Sequence, residues 1–512
     1  MLFNDRISLL MAVLRVSNSG LARALSVDAS LVSRWRTGAR TLAKKSAHIK
    51  AIAAYFAGQA KIDYQKAALC EIMGLPPEKK NVDAPALADF LYAWLSEEAA
   101  AGAEVIGTFL GRLDTFRGAK ACSPPVAAGK EALAGMPLTA EVFYGVKGKQ
   151  TGVIRFLTAV AAQEKPGTLL LYSDESIEWM TDRSFLPHFV PILTGVIARG
   201  TRIKIVHVIS RDLSEMLAAI DFWLPLYMTG AIEPYYCPRY REHFFRRTMF
   251  IAPGVAALTA TTLAGQEQSA ANVFSAGPDT VASLTREFNE FLKICRPLMR
   301  IFTGDNPPGL AELVAEFVEQ PGDCICWSNT LSTVTMPEEL LDRLLSRAGA
   351  AGETKEKMLS AQRARAKAFA ANLKHHKHTK IVSLPPPDEI AAGRVPAALP
   401  DFLGSAPLCY TPAEYKSHLA NILRLLKGCP NFNFFAAHRG GPQNIRLAAK
   451  DEVGIIVAKA DPPLAVFAIN QPDMTNAFYC YLEEVISRLP QSERDRRQVT
   501  KNLSELAGRL TD

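Results

Sequence analysis

The sequence predicts a small all-α head followed by an α/β body made of two tandem repeats. Three observations predict it. Positive charge is concentrated in the first fifty residues, short helical apolar spacings fill the same stretch, and beyond residue 138 the chain reads twice in one order. A chain of 512 residues is long enough for about three compact units. With 48% hydrophobic and 21% charged residues it has material for buried cores and is no candidate for global disorder.

Lys and Arg total 58 against 51 Asp and Glu, a net charge of +7. Residues 1–50 hold nine basic side chains (Arg6, Arg15, Arg23, Arg34, Arg36, Arg40, Lys44, Lys45, Lys50) and two acidic ones, Asp5 and Asp28. The whole surplus of seven therefore belongs to the head, and residues 51–512 are balanced. A polyanion is expected to meet the head alone. The apolar run Ile7–Leu14 is short and follows Asp5, which makes it a poor signal peptide. The longest uncharged stretch, Thr248–Gln266, contains Pro253, two glycines and four threonines, and reads as adjoining strands rather than a membrane span. Nine scattered cysteines without a pairing framework fit a reduced compartment, so a cytoplasmic location is expected.

In the head, Leu21, Ala22, Leu25, Val27, Val32 and Trp35 are spaced for two short helices packed across a turn at Ser26. Asp28 is placed to cap the second helix and Gly38 to end it. Over about residues 4–58 this pattern resembles the Cro-type (lambda-repressor-like, XRE) helix-turn-helix family. The resemblance rests on Leu21-Ala22, Ser26-Val27, Leu31-Val32-Ser33-Arg34-Trp35 and Gly38. Ser26 stands where that family usually has Gly, and Arg36 where it often has Glu. The resemblance implies a second helix entering the DNA major groove, with Asp28, Ala29, Ser30, Ser33 and Arg34 at base edges and Arg34 bidentate to guanine. It places Arg36, Arg40, Lys44 and Lys45 near phosphates, and it implies a homodimer.

Residues 59–137 read as a helical segment and linker between the head (1–58) and the body. DYQKAALCEIMGL and DAPALADFLYAWLSEE are helical by spacing; Ala99 to about Pro137 reads as a partly helical linker. Leu87–Leu95 fits either a helix packed on the head or a dimerisation helix.

The body is expected to divide into a first repeat at 138–300 and a second at 301–490, with a helical tail at 491–512. Lys165-Pro-Gly-TLLLYSD aligns with Gln320-Pro-Gly-DCICWSN, Val142–Gly145 with Ile301–Gly304, and Arg202–Val206 with His378–Val382. Gly230 and Arg247 recur as Gly428 and Arg446, and each copy closes on an aromatic helix around Phe288 or Phe478. Each copy alternates strands and helices, which implies parallel strand pairs with helices on the faces of a sheet. The second copy carries a basic insertion, about Gly352–Lys377, expected as an exposed helix.

This order resembles the phospholipase D-like fold, whose signature His-x-Lys-x4-Asp supplies nucleophile, acid and phosphate contact. The corresponding positions here are Phe245-x-Arg247-x4-Ala252 and Asn444-x-Arg446-x4-Asp451, without the histidine in either copy. The resemblance therefore implies a degenerate, catalytically inactive body that senses an effector or mediates assembly. Arg247 and Arg446 are the candidate ligands for a small anion; the alternative is that both pair with surface carboxylates. His243 and His438 are out of register for the missing groups. The run Lys374-His-His-Lys-His378 reads as a solvated basic face, and Cys324 and Cys326 as strand core, so no metal or other cofactor is expected. The expected function is a sequence-specific DNA-binding transcriptional regulator, not an enzyme and not membrane-bound. The rival reading is a phospholipase D-like phosphodiesterase with a DNA-targeting head.

Overall fold

The computed structural model describes residues 3–37, 47–73, 83–117, 140–175, 178–207, 220, 223–238, 244–303, 309–397, 408–437, 442 and 444–510. A helical N-terminal region precedes mixed α/β sheets. The chain divides into two compact units, one of Met1–Thr115, Pro307–Asp461 and Ile469–Asp512, the other of Phe116–Asn306 and Pro462–Ala468.

The first unit begins with six helices: α1 (Phe3–Val13), α2 (Asn18–Leu25), α3 (Ala29–Thr37), α4 (Ala47–Gln59), α5 (Asp63–Ile72) and α6 (Ala84–Thr115). Ser17 caps α2, its Oγ accepting the Gly20 amide at 3.1 Å. Ser26 then enters the left-handed region at φ 55°, and the Val27 amide reaches back to the Ala22 carbonyl at 3.0 Å. That is the conformation glycine adopts most easily, and Ser26 holds it here to close the turn. Asp28 Oδ1 accepts the Ser30 amide at 2.7 Å and starts α3.

Short helices need burial to persist. Leu21, Ala22, Val32 and Trp35 bury themselves against Ile7 and Leu10 of α1, Ile52 and Phe56 of α4, and Leu87, Leu91 and Leu95 of α6. Arg6 ties α1 to α6 by donating to the Trp94 carbonyl while stacking 4.9 Å from the Trp94 ring. Leu87, Leu91 and Leu95 thus belong to the head's own core, which decides between the two readings of that stretch. The stretch read as a partly helical linker is helical as far as Thr115, where α6 ends, because its many alanines favour helix strongly enough to carry the intervening glycines.

Eight strands of the other unit form one sheet: β1 (Ala140–Tyr144), β2 (Thr168–Ser173), β3 (Arg202–His207), β4 (Ile232–Tyr236), β5 (Phe245–Ala252), β6 (Ala256–Leu263), β7 (Ala271–Ser275) and β8 (Arg296–Pro297). Their order is β1-β7-β6-β5-β2-β3-β4-β8. β2, β3 and β4 are parallel, and β5 returns antiparallel beside β2 with Leu170 opposite Ile251. The helix Gly145–Ala161 packs so closely that a Cβ on Gly148 would lie 2.7 Å from the Phe143 carbonyl carbon. β7 was not foreseen, since Ala271–Ser275 alternates too weakly to read as a strand.

The remaining strands are β9 (Met299–Thr303), β10 (Cys324–Ser328), β11 (His378–Ser383), β12 (Phe432–Ala437), β13 (Ile445–Lys450), β14 (Gly454–Lys459) and β15 (Ala465–Ile469). In the first unit, β10, β11 and β12 are parallel while β13 and β14 run antiparallel beside β10. The order β14-β13-β10-β11-β12 matches β6-β5-β2-β3-β4 strand for strand. The basic insertion forms the helix Gly352–Asn372, most of whose residues are exposed as expected while one face turns inward. Leu359 and Phe369 enter the core, and the buried Gln362 amide donates to the Thr333 and Met336 carbonyls at 2.6 and 3.1 Å.

Two predictions follow from burial. Leu91→Ala should lower the head's stability by about 2–5 kcal/mol without changing the association state, read by urea denaturation and light scattering. The partly buried His207 Nε2 lies 2.6 Å from the Tyr227 hydroxyl, and desolvation pushes the ring's pKa down to about 4. The unfolded chain then binds the extra proton first, so stability should fall as pH drops from about 6.5 towards 4. His207→Gln should shrink that fall in urea midpoints measured across the same window.

Candidate nucleic-acid interface

Val32 and Trp35 turn inward, so the opposite side of α3 faces out. Asp28, Ala29, Ser30 and Arg36 are exposed, while Ser33 and Arg34 are partly covered. Arg40, Lys44 and Lys45, with the helix-ending Gly38, lie outside the described residues. The two Ser30 donors hold the Asp28 carboxyl below its ordinary pKa, so it stays ionised as a cap at the positive end of α3. Its role in the fold is thereby clear even where its reach to a base is not needed.

Asp28, Ser30 and Arg34 are brought together on one helical turn. Arg34 Nη2 donates to Ser30 Oγ at 3.2 Å and Nε to the Ser30 carbonyl at 3.4 Å. Its Nη1 forms an ion pair with Glu452, a residue at φ 61° in the tight turn between β13 and β14. Arg36 Nη1 donates to Asn18 Oδ1 at 2.8 Å, linking α3 back to α2. Glu452 is the residue that sequence reasoning missed. It lies 418 positions from its partner, and no local pattern marks it.

The two degenerate strand motifs are equally concrete. Phe245 and Arg247 sit on β5, with Phe245 61% exposed. Arg247 gives Nη1 and Nη2 to Glu287 at 2.5 and 3.1 Å, a bidentate pair with a surface carboxylate. Its backbone amide donates to Asp174, and Arg246 donates to the Asp174 carbonyl at 3.0 Å. In the first unit, the Asn444 amide donates to Asp114 at 2.7 Å, and Arg446 lies on β13 opposite Ala458. The Arg446 charge opposes the rise that burial imposes on the Tyr410 hydroxyl. His243 and His438 lie outside the described residues.

Beside Arg247, the end of β2 holds a buried polar cluster. Lys149 pairs with Glu175, and the Lys149 ammonium also donates to Thr248 Oγ1 at 3.2 Å. Thr248 in turn donates to Glu175 Oε1 at 3.0 Å. Desolvation lowers the Lys149 pKa and Glu175 opposes it. Both members of the pair are 2% exposed in their side chains, so each depends on the other for its charge.

No protein-family model matches the chain, and no curated protein matches it. Among solved structures it is similar to TrmBL2, described as an archaeal chromatin protein with a novel mode of DNA binding. That match has 14% identity over 57% of this chain and 93% of that one, with a TM-score of 0.24. It is also similar to polyphosphate kinase from Porphyromonas gingivalis (12% identity, 75% of this chain, 59% of that one, TM-score 0.25). A third is phosphatidylserine synthase of Haemophilus influenzae (10% identity, 72% and 93%, TM-score 0.22). TM-scores this low leave activity to be argued from the chain itself. Among the described residues no helix is long and apolar enough to cross a membrane.

The buried pair yields a test. Lys149→Met leaves Glu175 charged and alone, and should cost about 3–5 kcal/mol of stability. Adding Glu175→Gln should recover part of that loss, as thermal and urea denaturation would report.

Proposed function

We propose that this chain is a sequence-specific DNA-binding transcriptional regulator in which α3 reads the major groove. The observation that carries the reading is α3 itself. The helix is fixed by Val32 and Trp35 from within, shows Ala29, Ser30, Ser33 and Arg36 outward, and lies in the first fifty residues, whose surplus of seven positive charges equals that of the whole chain. Arg34 then reads guanine, and Arg36, Arg40, Lys44 and Lys45 hold phosphates. A homodimer presents two such helices to half-sites about one helical turn apart.

The body acts as a catalytically inactive sensing or assembly region. Support for this comes from Phe245 and Asn444, which offer neither a nucleophile nor a proton donor where the related enzymes use histidine. Arg247 is already bound to Glu287, so a small anionic effector at that guanidinium must displace a carboxylate. Arg446 is the second candidate contact for it.

The experiment is binding to genomic promoter fragments and to random DNA, followed by fluorescence anisotropy at several salt concentrations. Arg34→Ala should lose about 1–3 kcal/mol of discrimination between the selected site and random DNA. Unchanged discrimination would show that α3 is not the reading helix. Arg36→Ala should weaken both alike and reduce the salt slope by about one. Glu452→Gln frees Arg34 from an exposed ion pair and should tighten DNA binding by up to about fivefold.

A further inference from the structure

A face of the second sheet carries a group of reactive side chains that DNA binding does not use. Cys324 and Cys326 point the same way from β10, their sulfurs 3.7 Å apart. Lys380, opposite Cys326 on β11, donates from Nζ to Cys326 Sγ at 3.1 Å. Lys450, opposite Cys324 on β13, buries its ammonium against the carbonyls of Phe317, Val318 and Gln320 at the end of the helix Leu310–Glu319. Lys380 is 7% exposed, and among the described residues no carboxylate pairs with it.

An ammonium out of water requires a counter-charge or a set of acceptors for its protons. Here the group within reach is the Cys326 sulfur, and the thiolate is the form that supplies the charge. The direction of titration agrees: the hydrogen bond from Cys324 and the charge of Lys380 bring Cys326 down to about 5, while Cys324 is held above its ordinary range. Burial alone would leave a cysteine inert; a cationic neighbour and a second thiol at contact distance do not. Cys326 is only partly buried, whereas Cys324 is buried.

We propose that Cys326 and Cys324 are a peroxide-reactive dithiol, with Cys326 the attacking sulfur, Cys324 the resolving one and Lys380 the positioning residue. Hydrogen peroxide is the oxidant. The Cys326 thiolate attacks one peroxide oxygen, a sulfur–oxygen bond forms, the oxygen–oxygen bond breaks and hydroxide leaves. The sulfur is oxidised to sulfenic acid and the peroxide is reduced. The Cys324 thiol then attacks that sulfur, a disulfide forms, and the hydroxyl leaves as water with the Cys324 proton. A bridge between next-nearest residues of one strand departs from relaxed disulfide geometry, so ordinary thiols should reduce it readily.

The test treats the full chain with hydrogen peroxide and maps its peptides by mass spectrometry. The peptide containing both cysteines should lose two hydrogens before other cysteine peptides change, and dithiothreitol should restore it. Cys324→Ser should stop at a sulfenate on residue 326, trapped by dimedone, and Cys326→Ser should abolish the reaction there. Lys380→Met should slow oxidation about tenfold at neutral pH and make the rate rise with pH, whereas Lys380→Arg should keep it near wild type. Circular dichroism establishes that each variant is folded; if Lys380→Met is not, the arginine variant decides by its rate. A reduced Cys324–Cys326 peptide beside oxidised cysteines elsewhere, no sulfenate in Cys324→Ser, or a folded Lys380→Met oxidised at the wild-type rate would overturn the proposal.

Discussion

Helices of eight and nine residues do not survive alone in water, and α2 and α3 are that short. They exist because Leu21, Ala22, Val32 and Trp35 have a core to enter, and that core is completed from outside the pair. α1 and α4 close two sides, and Leu87, Leu91 and Leu95 close a third. The consequence is directional. Once Val32 and Trp35 are committed inward, the remaining side chains of α3 have no freedom over which way they face. The outward set of residues is a product of packing, and the left-handed turn at Ser26 merely allows the two helices to meet it.

A second constraint governs the sheets. Each places lysine ammonium groups out of water, and each provides different company for them. Lys149 has a carboxylate and a hydroxyl, Lys459 has Asp461, Lys450 has three carbonyls at a helix end, and Lys380 has a sulfur. Carbonyls at a helix terminus carry partial negative charge and suit a cation. Sulfur suits it only as thiolate. The same physical requirement therefore gives structural ion pairs at two places, a carbonyl cage at a third and an unusual thiol at the fourth.

The sequence displayed the parts of this fold that follow from local pattern. Asp28 and Ser17 are cap residues at cap positions, and the Pro-Gly turns repeat at fixed distance from an aromatic-Ser pair, which is why β2 and β10 were recognisable. What stayed hidden depends on distant partners. An Ala- and Gly-rich stretch reads as a partly helical linker until Gly107 is found so close to Tyr481 that an added Cβ would lie 3.4 Å from its ring. A basic helix reads as exposed all round until Leu359, Gln362 and Phe369 are seen covered along one face. Charge pairing was the least legible feature. Glu287 beside Arg247 and Glu452 beside Arg34 are ordinary glutamates in sequence, and only the fold gives them partners.

The pairing of Arg34 with Glu452 means that the head's guanidinium takes its counter-ion from the turn between β13 and β14. Dissolved electrolyte weakens this intramolecular attraction as it weakens the pull of any external polyanion. The first effect releases the guanidinium while the second discourages its use, so the two losses act against each other. The ionic-strength dependence of association should therefore be shallower than the number of cationic side chains on the head implies.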